Sequence, residues 1–255
     1  MSRTHPSVRG FDRSAATYER SRPDYPAAAV RRLGRALHLG PGRIVVELGS
    51  GTGKFTRAMA PLGATRIAVE PTRGMREVFV RVVPEVPVID GTAEAIPLPD
   101  AFADAVVCAQ SFHWFHPRPA LREIARVLRP GGGLGLVWND RDQRLPWSRQ
   151  ISRIIGRYRA RMPHYGGGRW KSAFAAPDSP FGPVHEAQFS HEQRGSTALF
   201  VDRTLSVSAI ANLPAAQRHQ VATEVREILR SDPSTHGQRT LVLPYTVKVY
   251  WSYRR

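Results

Sequence analysis

One stretch, residues 44–56, constrains the fold of this chain more than any other. It begins with the apolar run Ile44 to Leu48, whose β-branched residues are typical of a buried parallel strand. Glycines follow at positions 49, 51 and 53, and a helix-like segment begins at Lys54. Strand, glycine turn and helix form the first βα unit of an open α/β sheet, whose ligands bind at the carboxyl ends of the strands. Because glycine has no Cβ, a ligand can approach the main chain of this turn closely.

The glycine turn does not match three common motifs. The dinucleotide fingerprint G-x-G-x-x-G requires a glycine where Lys54 stands, and a P-loop requires serine or threonine where Phe55 stands. A nucleophile elbow, G-x-S-x-G, requires a glycine two residues before Ser50, where the chain has Leu48. The remaining pattern is an acid followed by three alternating glycines.

A second acid indicates a ligand that contains adenosine. Residues 66–70 are predicted as the second strand, which ends in Glu70, about twenty residues beyond the first glycine. A doubly wound fold places there a carboxylate that accepts hydrogen bonds from ribose hydroxyls. A carboxylate at this position does not by itself distinguish NAD-dependent enzymes from methyltransferases, because both use it.

Three segments together resemble a known family. They are the turn that begins at Glu47, the run G-T-A-E-A-I-P-L-P-D at 91–100 and the run L-R-E-I-A-R-V-L-R-P-G-G at 121–132. In order and spacing, over residues 10–140, they resemble the class I S-adenosylmethionine-dependent methyltransferases of the type 11 group. The resemblance implies S-adenosylmethionine as the cofactor.

The resemblance also implies roles for individual residues. Thr92 stands where aspartate is commoner in the family, and Glu94 has the alternative role of capping the element that follows. The residues implied to hold the cofactor are Tyr18, Arg22, Glu47, Gly49, Ser50, Gly51, Gly53, Glu70, Pro71, Met75, Thr92, Ala93, Glu94, Gln110 and Ser111.

The segment Q-S-F-H-W-F-H at 110–116 follows the fourth predicted strand and resembles part of one branch of the family. The resemblance implies that His113 and Trp114 face the substrate. His113 is the candidate catalytic base, since histidine titrates near neutral pH; a hydrogen-bonded pocket histidine is the alternative. If the acceptor is a carboxylate, no base is needed, and arginines would hold it. His113 and His116 have metal-ligand spacing, but without a neighbouring cysteine or carboxylate we expect no metal.

We predict one α/β domain over residues 1–255, with a Rossmann-like, seven-stranded, mostly parallel sheet and helices on both faces. Residues 1–40 are predicted as a helical N-terminal lid, in which Pro26 begins an amphipathic helix that runs to Leu39. By resemblance, Tyr18 and Arg22 would close over the methionine end of the cofactor. Residues 41–140 are predicted as the cofactor-binding core, and residues 141–255 as a substrate-side helical elaboration with the last strands.

A stripe of arginines marks the C-terminal part. A predicted helix over 146–162 carries basic residues at intervals of four, and like charges at that spacing repel each other. The stripe therefore faces solvent, which is the default, or meets something acidic. Two more helices are predicted near 197–204 and 214–230, and strands near 184–194 and 241–253. The stripe consists of Arg149, Arg153, Arg157 and Arg161.

The net charge is +16 and the isoelectric point is about 11.2, which first suggests nucleic acid as a partner. The basic residues are nearly all arginine and are spread along the whole chain, so we expect a small acidic substrate or a compositional bias instead. The one cysteine, Cys108, lies in an apolar run and indicates a reducing compartment. We see no signal peptide and no apolar run of membrane-spanning length, so we expect a soluble, cytoplasmic protein.

The predicted function is S-adenosylmethionine-dependent methyl transfer to a small-molecule acceptor, on oxygen or nitrogen, with an acidic metabolite as one candidate. The alternatives are a nucleic-acid-binding or non-catalytic cofactor-binding module, and a nicotinamide-dependent oxidoreductase. A nicotinamide-dependent oxidoreductase would also use Glu70 to bind ribose hydroxyls. Its dinucleotide fingerprint, however, requires a glycine where this chain has Lys54. The sequence leaves open the acceptor, its acceptor atom and the oligomeric state.

Overall fold

A seven-stranded mixed sheet forms the centre of the chain, in the order β3-β2-β1-β4-β5-β7-β6. The computed structural model describes residues 9–159 and 169–255. Neighbouring strands among the first five pair in parallel, and β7 is antiparallel to both β5 and β6. The strands are β1 (Ile44–Leu48), β2 (Thr65–Val69), β3 (Val88–Ile89), β4 (Ala103–Ala109), β5 (Leu128–Arg141), β6 (His185–Gly195) and β7 (Leu241–Tyr253).

Helices pack on both faces of this sheet, which confirms the predicted fold class. Alternating residues of β1 divide between two apolar clusters: Val46 packs with α5 on one face, and Val45 packs with α2 on the other. The described helices are α1 (Arg9–Ser21), α2 (Ala27–Ala36), α3 (Lys54–Ala58), α4 (Arg73–Val82), α5 (Pro117–Val127), α6 (Pro146–Arg159), α7 (Arg169–Phe174), α8 (Thr197–Leu205), α9 (Ser208–Ala211) and α10 (Ala215–Ser231).

A third apolar cluster belongs to the C-terminal helices. Trp147 and Ile151 of α6 pack there against Phe200 of α8 and Val225 of α10, beneath the first half of β7. The helices therefore form a layer beside the carboxyl ends of the central strands, where the predicted site lies. No described helix combines the length and the apolar character needed to cross a bilayer.

Several boundaries differ from the sequence prediction. Helix α2 ends at Ala36 instead of residue 39, because the chain turns at His38, whose φ is 52°. The short helices α7 and α9 were not predicted, since one or two turns carry too little periodicity to detect. Arg161 and Met162, predicted as the end of α6, and the glycines at 166–168 lie outside the described residues.

Candidate functional site

A cavity opens where β1, β2 and β4 end, and we call it the strand-end cavity. Its floor comes from the turns that follow these three strands, as expected for ligand sites in open α/β sheets. All but two of the predicted site residues line it, the exceptions being Gly53 and His113. The predicted residues that line it are Tyr18, Arg22, Glu47, Gly49, Ser50, Gly51, Glu70, Pro71, Met75, Thr92, Ala93, Glu94, Gln110, Ser111 and Trp114.

The three glycines of the turn have different roles. All have positive φ, which side chains rarely tolerate: 64° at Gly49, 58° at Gly51 and 84° at Gly53. A Cβ on Gly49 would lie 2.7 Å from the Cβ of Ser111, and one on Gly53 would collide with Phe79. A Cβ on Gly51 would meet no described atom within 4 Å. Gly51 therefore presents open main chain to the cavity, whereas Gly53 serves packing beneath it.

Glu70 braces this turn. Its Oε2 accepts a hydrogen bond from the Gly51 amide at 2.8 Å, and its Oε1 accepts one from the Thr72 amide at 2.9 Å. Burial raises the pKa of Glu70, and these hydrogen bonds partly offset the increase. The carboxylate thus positions the glycine turn while it lines the cavity.

Glu47 is more completely buried and has fewer partners. The hydroxyl of Thr56 donates to its Oε2. Burial raises the pKa of Glu47 to about 8, and the nearby charge of Glu70 contributes to the increase. Glu47 is therefore mostly protonated at neutral pH and ties the end of β1 to α3.

Two hydroxyl groups along the cavity wall lack partners. Ser50 Oγ and Thr92 Oγ1 are buried and form no hydrogen bond within the described chain. Buried polar atoms without partners are rare in native proteins and require an explanation. Glu94, in contrast, accepts a hydrogen bond at 2.7 Å from the amide of His116, the residue before α5. Because β4 lies between Glu94 and α5, this is not the predicted cap of the element that follows, and that role stays a prediction.

Helix α1 covers the strand-end cavity. Phe11 and Tyr18 line the cavity from this helix, and Glu19 contacts Thr52 and Arg57 next to the glycine turn. At its other end, the Asp12 carboxylate accepts a hydrogen bond from the Gly74 amide at 2.7 Å. Helix α2 lies away from the cavity and packs in the core. Among the described residues before β1, those that line the cavity belong to α1 and to the turn after it, and the lid role of residues 1–40 stays a prediction.

A second cavity of about 660 Å³ adjoins the first, and we call it the arginine cavity. Tyr18, Gln110 and Trp114 line both cavities. The volume lies within the usual range for small-molecule sites. Its arginines are Arg22, Arg141, Arg149, Arg153, Arg159 and Arg203.

His113 lines the arginine cavity instead of the strand-end cavity. The indole Nε1 of Trp138 donates to its Nδ1 across 3.3 Å. In the neutral ring this bond puts the proton on Nε2, so a base at Nε2 would need the tautomer that loses the bond. The base role of His113 stays a prediction. Within residues 9–159 and 169–255, no group of three histidine, cysteine or carboxylate side chains could hold a metal ion.

Comparison with known proteins identifies the family. The model of a family described as "Methyltransferase domain" matches residues 46–136. A protein named uncharacterized methyltransferase Rv3342, from Mycobacterium tuberculosis, is 38% identical over 235 residues, which are 92% of this chain and 91% of that protein. The chain belongs to the methyltransferase family. The enzyme is an S-adenosylmethionine-dependent methyltransferase of class I.

Other relatives of this methyltransferase extend the comparison. The methyltransferase-like protein C25B8.10 of Schizosaccharomyces pombe is 35% identical, over 96% of this chain and 95% of that protein. The solved structure of YcgJ from Bacillus subtilis covers 89% of this chain and 98% of its own, with a TM-score of 0.59 and 21% identity. The solved structure of a geranyl diphosphate methyltransferase with S-adenosylmethionine covers 90% of this chain and 85% of its own, with a TM-score of 0.52 and 17% identity. These two structures share the fold.

Sequence reasoning missed several residues that line the two cavities. Asn139 and Arg203 line both cavities, and Arg141 and Ser152 line the arginine cavity. Asn139 ends the fifth predicted strand, and this position was the one signal available. Arg203 comes from α8, a helix whose placement depends on long-range packing.

Proposed function

We propose that this methyltransferase transfers the methyl group of S-adenosylmethionine to a small acidic acceptor that binds in the arginine cavity. The observation that carries the proposal is the contact between the two cavities. The strand-end cavity has the features of a cofactor site, and it meets a cavity whose wall carries six arginines. The cavity that adjoins the proposed cofactor site therefore has a strongly positive lining.

The strand-end cavity fits the cofactor in three respects. Gly51 presents open main chain, and the carboxylate of Glu70 lies where ribose hydroxyls can donate to it. Ser50 Oγ and Thr92 Oγ1 lack protein partners and can bond polar groups of a ligand. Met75 and Ala93 supply apolar surface for the adenine. We further propose that Tyr18, Arg22, Gln110 and Ser111 border the methionine portion.

Not every residue predicted to hold the cofactor is proposed to touch it. Gly53 is directed into the packing of α4, and Glu47 is engaged with Thr56. Glu94 is engaged with the start of α5. We propose that these three residues shape the strand-end cavity, together with Gly49 and Pro71, which line it through the turns after β1 and β2.

The bound cofactor supplies a methyl group already activated by its sulfonium. The protein then contributes orientation and exclusion of water, and proximity alone can account for about 7–11 kcal/mol of a barrier. Trp114 at the junction of the cavities contacts Phe11 of the covering helix, with ring centroids 5.8 Å apart. We propose that this aromatic pair keeps water from the acceptor.

An acceptor that is already ionised requires no base. With Nδ1 accepting from Trp138, the neutral ring of His113 carries its proton on Nε2, so this tautomer has no lone pair on Nε2 with which to remove a proton. This supports methylation of a carboxylate oxygen over a reaction that begins with proton removal. Four of the six cavity arginines are partly or fully buried, which also favours a small molecule over a nucleic acid, whose phosphates need arginines on an outer surface.

The experiment is a calorimetric titration with S-adenosylhomocysteine, with NAD titrated in parallel. We expect the first to bind in the micromolar range and NAD not to bind. Gly51→Val should abolish binding of S-adenosylhomocysteine, because the valine side chain would enter the strand-end cavity. Gly42→Val is the matched control: Gly42 has a φ of 79° and a Cβ there also meets no described atom within 4 Å, but it lies outside the cavity.

Both variants carry similar backbone strain, of order 1–3 kcal/mol. Equal loss of binding in both would mean that strain, not cavity filling, is responsible, and it would contradict the proposed cofactor site. Binding of NAD without binding of S-adenosylhomocysteine would mean that the strand-end cavity is a nicotinamide-cofactor site, as in an oxidoreductase.

A further inference from the structure

The arginine cavity contains an inner group of three side chains that come from different elements. Arg141 ends β5, Arg159 ends α6 and Arg203 lies on α8. Arg149 and Arg153, which are exposed, line the same cavity from α6. We call the first three the inner arginines.

The inner arginines are not neutralised by the described chain. None of them forms an ion pair with a described carboxylate, and Arg149 and Arg153 form none either. Among the described residues that line the cavity, the one acid is Asp140, which is paired with Lys248 at 3.3 Å. Elsewhere in the chain arginines are commonly paired, as Arg129 is with Asp104 at 3.0 Å.

The inner arginines also repel one another. Burial lowers the pKa of Arg141 to about 9, and the neighbouring charge of Arg203 contributes to the decrease. The same two causes lower the pKa of Arg159. A buried cation without a counter-ion is costly, so this arrangement destabilises the free protein unless an anion enters.

Arg203 is held in position through its Nε, while the donors on its Nη1 are unused. It is 7% exposed, and its Nε donates to the hydroxyl of Tyr245 at 3.3 Å. That hydroxyl donates in turn to Gln193 Oε1 at 3.1 Å, which fixes the orientation of the guanidinium. The Nη1 of Arg203 is buried and has no hydrogen-bond partner in the described chain, and Ser152 Oγ on the same cavity wall has none either.

We propose that the inner arginines and Ser152 form a subsite for an acceptor that carries at least two negative charges, as a phosphoryl group or as a pair of carboxylates. This rests on the proposed function, because the subsite lies in the proposed acceptor cavity. A single carboxylate occupies one guanidinium in a bidentate pair and would leave the other inner arginines uncompensated. An acceptor with two or more negative charges can compensate the positive charges of all the inner arginines.

The arginine stripe of α6 provides an internal control. Arg149 and Arg153 line the cavity, whereas Arg157 pairs with Glu224 of α10 and lies outside it. Arg157→Gln therefore removes the same charge from the same helix without touching the subsite.

The test measures thermal unfolding and calorimetric binding of the full chain with inorganic pyrophosphate, malonate or acetate at constant ionic strength. We expect pyrophosphate or malonate to raise the melting temperature and acetate to leave it unchanged, since a ligand that binds only the folded state stabilises it. Preference for pyrophosphate identifies a phosphoryl acceptor, and preference for malonate identifies a dicarboxylate. Arg141→Gln should weaken dianion binding about tenfold or more, because a charge-assisted hydrogen bond is lost.

A second variant, Arg149→Gln, changes an exposed side chain and does not threaten folding; we expect a smaller loss of dianion affinity from it. Arg157→Gln should bind like the unmodified protein. The proposal is overturned if neither dianion exceeds acetate, or if Arg157→Gln loses as much affinity as Arg141→Gln. Titration with S-adenosylhomocysteine separates the two hypotheses: if it binds and no dianion does, the subsite fails and the proposed function stands. If a dianion binds and S-adenosylhomocysteine does not, the subsite stands and the proposed function fails.

Discussion

Two buried carboxyl groups next to the glycine turn have opposite surroundings. Glu70 accepts two backbone hydrogen bonds, whereas Glu47 has only the Thr56 hydroxyl and faces the charge of Glu70. Hydrogen bonds to a carboxylate favour its charged form, and burial favours its neutral form. At the scale of single residues, backbone hydrogen bonds oppose the effect of burial on the pKa of Glu70, whereas Glu47 has less to oppose it and braces the turn as a neutral group.

The protonated state of Glu47 predicts a dependence of stability on pH. Its pKa is raised from 4.5 to about 8, so the folded state binds the proton more tightly than the unfolded state does. The stabilisation is complete below about pH 4.5 and is lost as the pH rises to about 8. Glu47→Gln keeps the neutral shape, so we expect the free energy of unfolding of the unmodified protein to fall relative to this variant, by on the order of a few kcal/mol across that window.

Urea unfolding at a series of pH values measures the difference between the two proteins. Glu77→Gln, which removes an exposed carboxylate on α4, is the control and should parallel the unmodified protein. Parallel curves for Glu47→Gln as well would mean that Glu47 is ionised in the folded state.

The residues that sequence could identify share a local signal. Gly51 and Glu70 belong to one βα unit and its neighbouring strand, so their spacing along the chain reports their spacing in space. Arg141 and Arg203 come together through the packing of α8 against the first half of β7, and nothing local in the sequence marks that contact. Periodicity placed the arginine stripe on a helix but could not tell which members face the cavity.

At the scale of elements, α1 connects the two halves of the site. Glu19 reaches Thr52 and Arg57 at the glycine turn, and the guanidinium of Arg22, just after the helix, donates to Ser206 Oγ at 2.9 Å beyond α8. Arg22 also lies over the ring of Tyr18, 4.7 Å from its centroid. The helix is therefore attached to the core on one side and to the C-terminal layer on the other.

These contacts predict that α1 controls how long the cofactor stays bound. Glu19→Gln weakens the attachment to Arg57, so we expect S-adenosylhomocysteine to dissociate about tenfold faster, with a smaller change in its association rate. Stopped-flow displacement measures the rate. Arg20→Gln removes an exposed charge of the same helix, 3.9 Å from Asp202, and should leave dissociation unchanged. Equal rates for Glu19→Gln and the unmodified protein would mean that α1 does not retain the ligand.

The order of elements was largely predictable from sequence, and their lengths were less so. Strand β7 follows from the alternation of residues 241–253, and the parallel strands follow from continuous apolar runs. Strand β3 begins at Val88 instead of residue 86, because only Val88 and Ile89 pair with β2. Pairing at a sheet edge depends on the neighbouring strand, which local composition does not report.

At the scale of the whole molecule, β7 joins the C-terminal layer to the central sheet. Leu241 and Leu243 pack among the C-terminal helices, whereas Val247 and Val249 pack against α2 under the opposite end of the sheet. The same strand pairs with β5 on one side and with β6 on the other. Separation of the two regions would break this strand in the middle.

We therefore predict that the chain unfolds as one cooperative unit. Trp147 reports on the C-terminal layer, and Trp138 and Trp170 report on the central sheet, so replacing Trp147 by phenylalanine restricts most fluorescence to the core. Fluorescence of this variant and far-ultraviolet circular dichroism should give coincident urea transitions, and the calorimetric and van't Hoff enthalpies should agree. The C-terminal helical layer can melt first only if β7 is interrupted. A dichroism transition at lower urea than the fluorescence transition would therefore show that this layer is a separate folding unit. It would also mean that the arginine cavity can open without loss of the cofactor site.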